Sequence, residues 1–300
     1  MIIGPPHIGV CVCTYKRPVL LRNLLVALDR QKTNDHFTFS VVIVDNDSAQ
    51  SAWRTVSQAD GRLNYRVSYH VEPQQNIALA RNRALANAKG EYIAFIDDDE
   101  CPPDDWLLRL FQACESRGVS GVLAPVRPSF ERPPPEWLIK SRVFERPEYP
   151  TGTILSWQET RTGNALVRRR AVNDLEPPFR PVYGAGGEDQ DFFRRLIECG
   201  HILVWCNESP VYEFVPLTRM SLRYICQRAL LRGQNERHTL TIRNVAKSAV
   251  AALLYAIIMP FLPFFGRHLL VRYLVKFLDH FGKLCAVVGI KPIGDKYLTG

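Results

Sequence analysis

An α/β fold built on an open, mainly parallel sheet with helices on both faces is what this sequence predicts. Two observations carry that expectation. Short apolar runs alternate with stretches of helical periodicity through the first hundred residues. The composition, 46% hydrophobic and 23% charged over 300 residues, is that of a folded chain with enough length for one large domain and a tail.

The elements follow in order. IGVCVC (8–13) reads as a buried strand, and 18–31 as a helix with Leu20, Leu21, Leu24, Leu25 and Leu28 on one face. FSVVIV (39–44) is a second strand. NIALARNRALANA (76–88) has helical spacing and a stop at Gly90, and YIAFI (92–96) is a third strand that ends at Asp97. From 125 to 150 the character changes: seven prolines and no convincing periodicity predict a long surface excursion. Structure resumes at TGNALVRRRAV (162–172). A glycine-rich turn, YGAGGEDQD (183–191), then opens a helix through about Cys199, and ILVWC (202–206) is a last strand. The expected division is a catalytic domain over 1–215 and a basic, apolar helical tail over 216–300, with no internal repeat.

Charge separates the same two regions. From residue 215 onward there are 13 Lys/Arg against 3 Asp/Glu, whereas 1–214 holds 25 against 27. A tail both basic and apolar points to an anionic membrane surface and away from nucleic acid. The eight cysteines form no CxxC pair; Cys11 and Cys13 alternate on a buried strand, so reduced core thiols and a cytosolic compartment are expected. The opening MIIGPPHIG has neither the basic nor the long apolar region of a secretory signal.

In an open α/β sheet, ligands bind beyond the carboxyl ends of the strands. Past the first strand stand Thr14, Tyr15, Lys16 and Arg17; past the second, Asp45, Asn46 and Asp47; past the third, Asp97, Asp98, Asp99 and Glu100. Packing carboxylates together costs repulsion, which Mg²⁺ or Mn²⁺ with oxygen ligands removes while keeping positions open for substrate phosphates. The bland alternative is an acidic N-terminus for the helix after Cys101-Pro102-Pro103. No GxGxxG and no Walker A lysine motif is present, so the Asp45 turn and Arg81 are the candidate nucleotide contacts; a solvated helix arginine is the competing account of Arg81. Glu188 and Asp189 follow glycines at a helix start, where a carboxylate serves either as a general base or as a cap. Thr162-Gly163-Asn164 by itself is an Asx-turn.

The ordered set VCTYKRP, VIVDND, ALARNRAL, FIDDDE, TGNALVRR and GGEDQDFF resembles family 2 glycosyltransferases of the Rossmann-like GT-A fold, over roughly residues 7–235. Within them it is most similar to bacterial exopolysaccharide (succinoglycan-type) glucosyltransferases. The resemblance implies that Thr14, Tyr15, Arg17, Asp45 and Arg81 contact the nucleotide. Asp97 and Asp99 would bind metal and diphosphate as a DxD pair, with Asp98 on the ribose or sugar side. Asn164 would border the donor sugar, and Asp189 would be the base, with Glu188 next in line. One departure stands out: where many relatives carry a metal-ligating histidine, VYEFVP (211–216) has Tyr212 and Glu213. QRALLRGQ (227–234) lacks the tryptophan of processive synthases, which favours single sugar additions.

The expected activity is an inverting hexosyl transfer from a nucleotide-diphosphate sugar, UDP-glucose by resemblance, to a lipid-linked saccharide in polysaccharide biosynthesis. A nucleotidyltransferase and a silent carbohydrate-binding scaffold are the alternatives. The expected location is the cytoplasmic face of the inner membrane, peripheral or monotopic. Residues 248–265 form an 18-residue stretch with no charge, and a helix of that length reaches roughly 27 Å against a core of about 30 Å. Pro260 and Pro263 would break it near its end. The run 268–281 places Arg272, Lys276, Asp279 and His280 on one stripe, as in a helix lying in the interface. A buried helical pair is the competing account.

Overall fold

Strand β1 (His7–Thr14) pairs in parallel with β2 (Thr38–Asp45) on one side and with β4 (Tyr92–Phe95) on the other; β3 (Arg66–Val71) flanks β2. The computed structural model describes residues 4–235 and 241–294; the opening MII and the tail residues 236–240 and 295–300 of the expected domains lie outside the described residues. The main sheet has the order β3-β2-β1-β4-β8-β6-β9, completed by β6 (Gly121–Leu123), β8 (Ala165–Arg168) and β9 (Leu203–Trp205). Only β8 runs antiparallel to its neighbours β4 and β6, so the sheet is mainly parallel, as the alternation of elements predicts.

Successive residues of a strand point to opposite faces, and here each face has its own core. Ile8, Val10 and Val12 of β1 lie on the side of α1 (Pro18–Asp29) and α4 (Trp106–Arg117), in one cluster with Leu21, Leu24, Trp106 and Phe111. Cys11, Val42, Ile93 and Phe95 face the other way, in one cluster with Ala80 and Ala84 of α3 (Ile77–Asn87) and with Phe192 and Phe193 of α7 (Glu188–Glu198). All eight cysteines are free thiols, and burial pushes Cys13 up to about 12. Before β4, two elements have no counterpart in the sequence reading: α2 (Trp53–Ala59) and β3, whose RVSYHV is half polar because it forms the sheet edge.

The chain divides into two compact units. The first comprises 1–127, 146–184 and 188–213, and the second 128–145, 185–187 and 214–300. The proline-rich stretch carries β7 (Val126–Phe130) and α5 (Glu136–Ser141), the latter entered from Pro135. In the first unit, β5 (Glu100–Cys101) pairs antiparallel with β10 (Val211–Val215), setting Glu213 opposite Glu100.

The second unit is helical: α8 (Leu222–Asn235), α9 (Ile242–Ile258), a 3-10 segment over Met259–Phe265 and α10 (Arg267–Val287). Helices α8 and α10 touch backbone to backbone, since a Cβ on Gly233 would stand 2.0 Å from the carbonyl oxygen of Asp279. The polar stripe of α10 is engaged within this unit. Asp279 pairs with Arg232 at 2.9 Å, His280 meets the hydroxyl of Ser248 at 3.2 Å, and Arg272 donates to the carbonyl of Ser141 at 3.0 Å. The α-helix of the apolar stretch ends at Ile258, two residues before Pro260.

Candidate functional site

Three neighbouring strands, β2, β1 and β4, end at one edge of the sheet, and the polar residues beyond them meet there. Thr14 donates to Asp98 at 2.7 Å, and Arg17 donates to Asp98 and to Asp99, each at 3.0 Å. Arg17 stands immediately before Pro18, the first residue of α1, so the fixed φ of a helix-starting proline helps hold its position. One guanidinium between two adjacent carboxylates offsets much of their repulsion. Burial still pushes Asp98 up to about 6, against the pull of Arg17. Tyr15 lies under the ammonium of Lys16, 5.1 Å from its ring centre.

Asp45, at the end of β2, is fully buried and heavily used. It accepts from the backbone of Asp47 at 3.1 Å and of Ala52 at 2.7 Å, and from the Tyr69 hydroxyl at 2.9 Å. Three donors into one carboxylate order the turn that leads to α2. Asn46 extends the same scaffold, donating to the carbonyls of Glu72 and Gln74 and accepting from the backbone of Asn76. Tyr69 and Glu72 are not among the sequence candidates, because β3 has no apolar run to mark it as a strand; Asn76 enters the sequence reading only as the first residue of the 76–88 helical run.

Arg81 joins the two acidic groups. From the middle of α3 it forms a short ion pair with Glu188 and reaches Asp97 at 3.5 Å, with the ring of Phe179 5.7 Å from its guanidinium carbon. It is therefore no solvated helix arginine. Glu188 begins α7 and is buried. Burial pushes its carboxyl up to about 7, with Arg81 pulling the other way and the charge of Asp189 adding to the rise. Asp189 is only partly covered and accepts from the backbone of Gln190 at 2.8 Å.

Asn164 stands apart from the other candidates. Its φ is +61°, and it is wholly buried. Its oxygen accepts from the Trp106 indole at 2.7 Å, while its nitrogen donates to the carbonyls of Pro125 and Ser209. Every polar atom of this amide is spent on holding α4 and the loops beside β8.

Arg146, Glu213 and Glu100 complete the acidic edge. Arg146 pairs with Glu213 at 2.5 Å. Burial opposes its charge, yet Glu213, Glu100, Asp97 and Asp99 together raise its pKa above the ordinary arginine value. Glu100 accepts from the backbone of Asp97 at 3.0 Å through one oxygen; the other, Oε1, is buried with no hydrogen-bond partner. Burial, then the charge of Asp97, push Glu100 well above the usual carboxylate range. Among the described residues no three His, Cys, Asp or Glu side chains already converge as a cation cage. The donors offered by Asp97, Asp99 and Glu100 are nonetheless all oxygen, the set that suits a hard divalent ion. The orphaned Glu100 oxygen is an atom such an ion would satisfy.

The profile of the family described as "Glycosyl transferase family 2" matches residues 9–176. The succinoglycan biosynthesis protein ExoM of Rhizobium meliloti (strain 1021) is 36% identical over 234 residues, 76% of this chain and 73% of that one. The GalNAc(5)-diNAcBac-PP-undecaprenol beta-1,3-glucosyltransferase of Campylobacter jejuni is 28% identical over 100 residues, 32% of this chain and 30% of that one. Among solved structures, S. aureus TarS 1-349 in complex with UDP-GlcNAc superposes with a TM-score of 0.55 at 17% identity, covering 96% of this chain and 94% of that one. This last likeness speaks for the fold.

Proposed function

The chain belongs to glycosyltransferase family 2, and from that premise we propose that it transfers a hexose, with inversion, from UDP-glucose to a lipid-linked saccharide on the cytoplasmic face of the inner membrane. Family membership sets aside the nucleotidyltransferase and the silent scaffold. The observation that carries the reading is the Arg81 bridge. One guanidinium ties the acids at the end of β4 to the acids at the start of α7, bringing a diphosphate-binding edge and a base to one place.

In this reading the ends of β1 and β2 receive the nucleotide, with Thr14, Tyr15 and Arg17 at the phosphate side. Asp45 acts by ordering its turn. Asp97 and Asp99 would hold Mg²⁺ or Mn²⁺, with Glu100 beside them. Bound there, the ion supplies positive charge to the departing diphosphate. Arg17 and Arg146 hold the surrounding carboxylates, and Arg81 locks Glu188, so that of the two acids at the start of α7 Asp189 is the one left partly open. Asp189 takes the proton of the acceptor hydroxyl. The oxygen attacks the anomeric carbon from the back, the carbon–oxygen bond to phosphate breaks, and its electron pair leaves with UDP.

The lipid-linked acceptor and the membrane rest on the second unit. One helix among the described residues, Ile242–Phe265, is long and apolar enough to cross a membrane, and little of it is buried. Leu253 is 63% and Phe264 86% exposed. An apolar surface of that extent marks an interaction site, and the basic tail complements anionic lipid. The deciding experiment incubates full-length protein with radiolabelled nucleotide sugars, with and without Mn²⁺. Metal-dependent release of hexose from UDP-glucose is expected. Indifference to every nucleotide sugar would end the transferase reading, and equal UDP affinity with and without metal would end the metal role.

A further inference from the structure

Beyond the acidic edge the first unit has a recess whose aromatic lining none of the roles assigned above explains. It is a shallow, open cleft with a cavity volume of about 50 Å³, lined by Tyr149, Gln158, Arg161 and Trp205, with Arg146 and Gly163 on the side of the acids. Tyr149 and Trp205 stand edge to face, 5.3 Å between ring centres, and form an aromatic wall. Arg161 and Gln158 add hydrogen-bonding groups at the exposed rim. An aromatic wall with planar polar side chains at its margin is a chemistry that holds a sugar ring, whose C–H face is apolar and whose hydroxyls project sideways.

Its place in the sheet gives it a role. The nucleotide residues sit at the ends of β2 and β1, the acids at the end of β4, and the recess at β6 and β9, on the far side of the acids in the strand order. The wall between recess and acids is one glycine thick. A Cβ on Gly163 would stand 2.7 Å from Oε1 of Glu100 and 3.4 Å from Oδ2 of Asp97. Arg146 borders both, lining the recess while paired with Glu213. The short 3-10 turn Trp157–Glu159, which supplies Gln158, also packs against α7, the helix that begins with Glu188 and Asp189. The recess therefore adjoins both the diphosphate edge and the base-bearing helix. Back-side displacement needs the attacking hydroxyl on the side of the anomeric carbon away from the diphosphate, and the strand order sets the recess across the acids from the residues assigned to the nucleotide.

We propose that this recess is the acceptor subsite, seating the terminal hexopyranose of the acceptor against Tyr149 and Trp205 with Arg161 and Gln158 on its hydroxyls. The assignment rests on the transferase reading above and specifies its acceptor end. It is tested with the full chain in lipid nanodiscs, by saturation-transfer NMR on methyl β-D-glucopyranoside and methyl β-D-galactopyranoside, with and without UDP. Calorimetry with UDP is run on the same samples. Ring protons of at least one glycoside receive saturation in the wild type. Tyr149→Ala and Arg161→Ala each weaken that binding about five- to tenfold, the scale of one aromatic or charged contact, and Tyr149→Phe, which keeps the ring, restores it. Affinity for UDP and hydrolysis of UDP-hexose stay at wild-type level in all three variants. The subsite is overturned if neither glycoside is saturated by the wild type, or if folded Tyr149→Ala and Arg161→Ala bind it unchanged. It is also overturned if the variants lose donor affinity, which would give the recess to the donor sugar. Wild-type protein that binds a glycoside through these residues but ignores UDP would keep the pyranose site and remove the transferase reading.

Discussion

Leu21, Ile43 and Phe192 in the first unit and Leu253, Phe261 and Phe264 in the second are all large apolar side chains, yet the first three are sealed from water and the last three stand in it. Polar groups show the same contrast. In the first unit the charged residues converge at the sheet edge, where Arg17, Arg81 and Arg146 hold carboxylates. In the second, Arg232, Asp279 and His280 turn inward to one another and to Ser248, and leave the apolar face of α9 outward. A soluble unit places these groups the other way round. The first unit thus keeps most of its large apolar side chains inside, whereas the second carries an apolar face on its surface.

The sharpest way to break this division is to remove the chemistry while sparing everything else. Asp189→Asn keeps the shape and the contact to the backbone of Gln190 but cannot take up a proton. The expected loss in turnover is on the order of 10²–10⁴-fold, the range for a positioned general base, with UDP affinity within about twofold of wild type by calorimetry. Transfer within a few-fold of wild type would move the base to Glu188. The variant should partition onto vesicles as the wild type does, since nothing in the second unit has changed.

The converse change belongs to the second unit. Burying a Leu or Phe side chain contributes about 1.5–3 kcal/mol, and each 1.4 kcal/mol is tenfold in binding. Leu254→Asp and Phe264→Asp should therefore each lower partitioning onto vesicles containing phosphatidylglycerol by roughly 10- to 100-fold, measured by flotation. Hydrolysis of UDP-glucose in solution should be unaffected. Wild-type protein that does not float with such vesicles would leave the exposed face for another protein to cover.

Much of the first unit is legible in the sequence because buried parallel strands are near-continuous apolar runs and their polar ends fall on one edge. IGVCVC, FSVVIV and YIAFI all match strands to within a residue or two. What escapes depends on contacts distant along the chain. Arg146 and Glu213 lie 67 residues apart, and no local pattern in the proline-rich stretch announces their pairing. RVSYHV escapes because an edge strand is half polar. In TGN the asparagine looks like a group for the donor sugar, and only the fold shows its amide consumed by Trp106, Pro125 and Ser209. Likewise, the stripe of 268–281 is visible as a period, but not that Asp279 and His280 face partners on α8 and α9.

A smaller effect separates pairing from burial at the Arg81 bridge. Glu188 ordinarily titrates near 4.5 and is pushed up to about 7 in the fold, chiefly by burial. Because the folded value is the higher, the folded state binds the proton more tightly. The stabilisation is fully present below about pH 4.5 and is lost as pH rises through about 7. An amide in its place has no proton to lose, so Glu188→Gln should gain on the wild type by a few degrees of Tm between about pH 4.5 and 7.5, at about 2–4 °C per kcal/mol for a unit of this size. A Tm difference flat across that interval would show that Arg81 keeps Glu188 ionised throughout.

The mildest change probes the scaffold that aims the sheet edge. Asn76 is the N-cap of α3, accepting from the backbone of Ala78 at 3.0 Å and of Leu79 at 3.2 Å, while its amide donates to the carbonyl of Pro181 at 3.0 Å. The first N–H groups of a helix have no partner within it, so this cap satisfies donors that burial would otherwise leave open. It also sets where Arg81, five residues on, emerges from the helix. Asn76→Ala should cost about 0.5–2 kcal/mol, seen as a Tm lower by roughly 1–8 °C. Asn76→Asp keeps the accepting oxygen and should recover part of it. If Asn76 matters only as a cap, turnover per folded molecule is unchanged at a temperature well below the Tm. If it also aims Arg81, turnover falls in Asn76→Ala and returns in Asn76→Asp along with the cap. A loss of turnover with no loss of Tm would contradict both, because it would leave Asn76 acting on the chemistry without holding the helix.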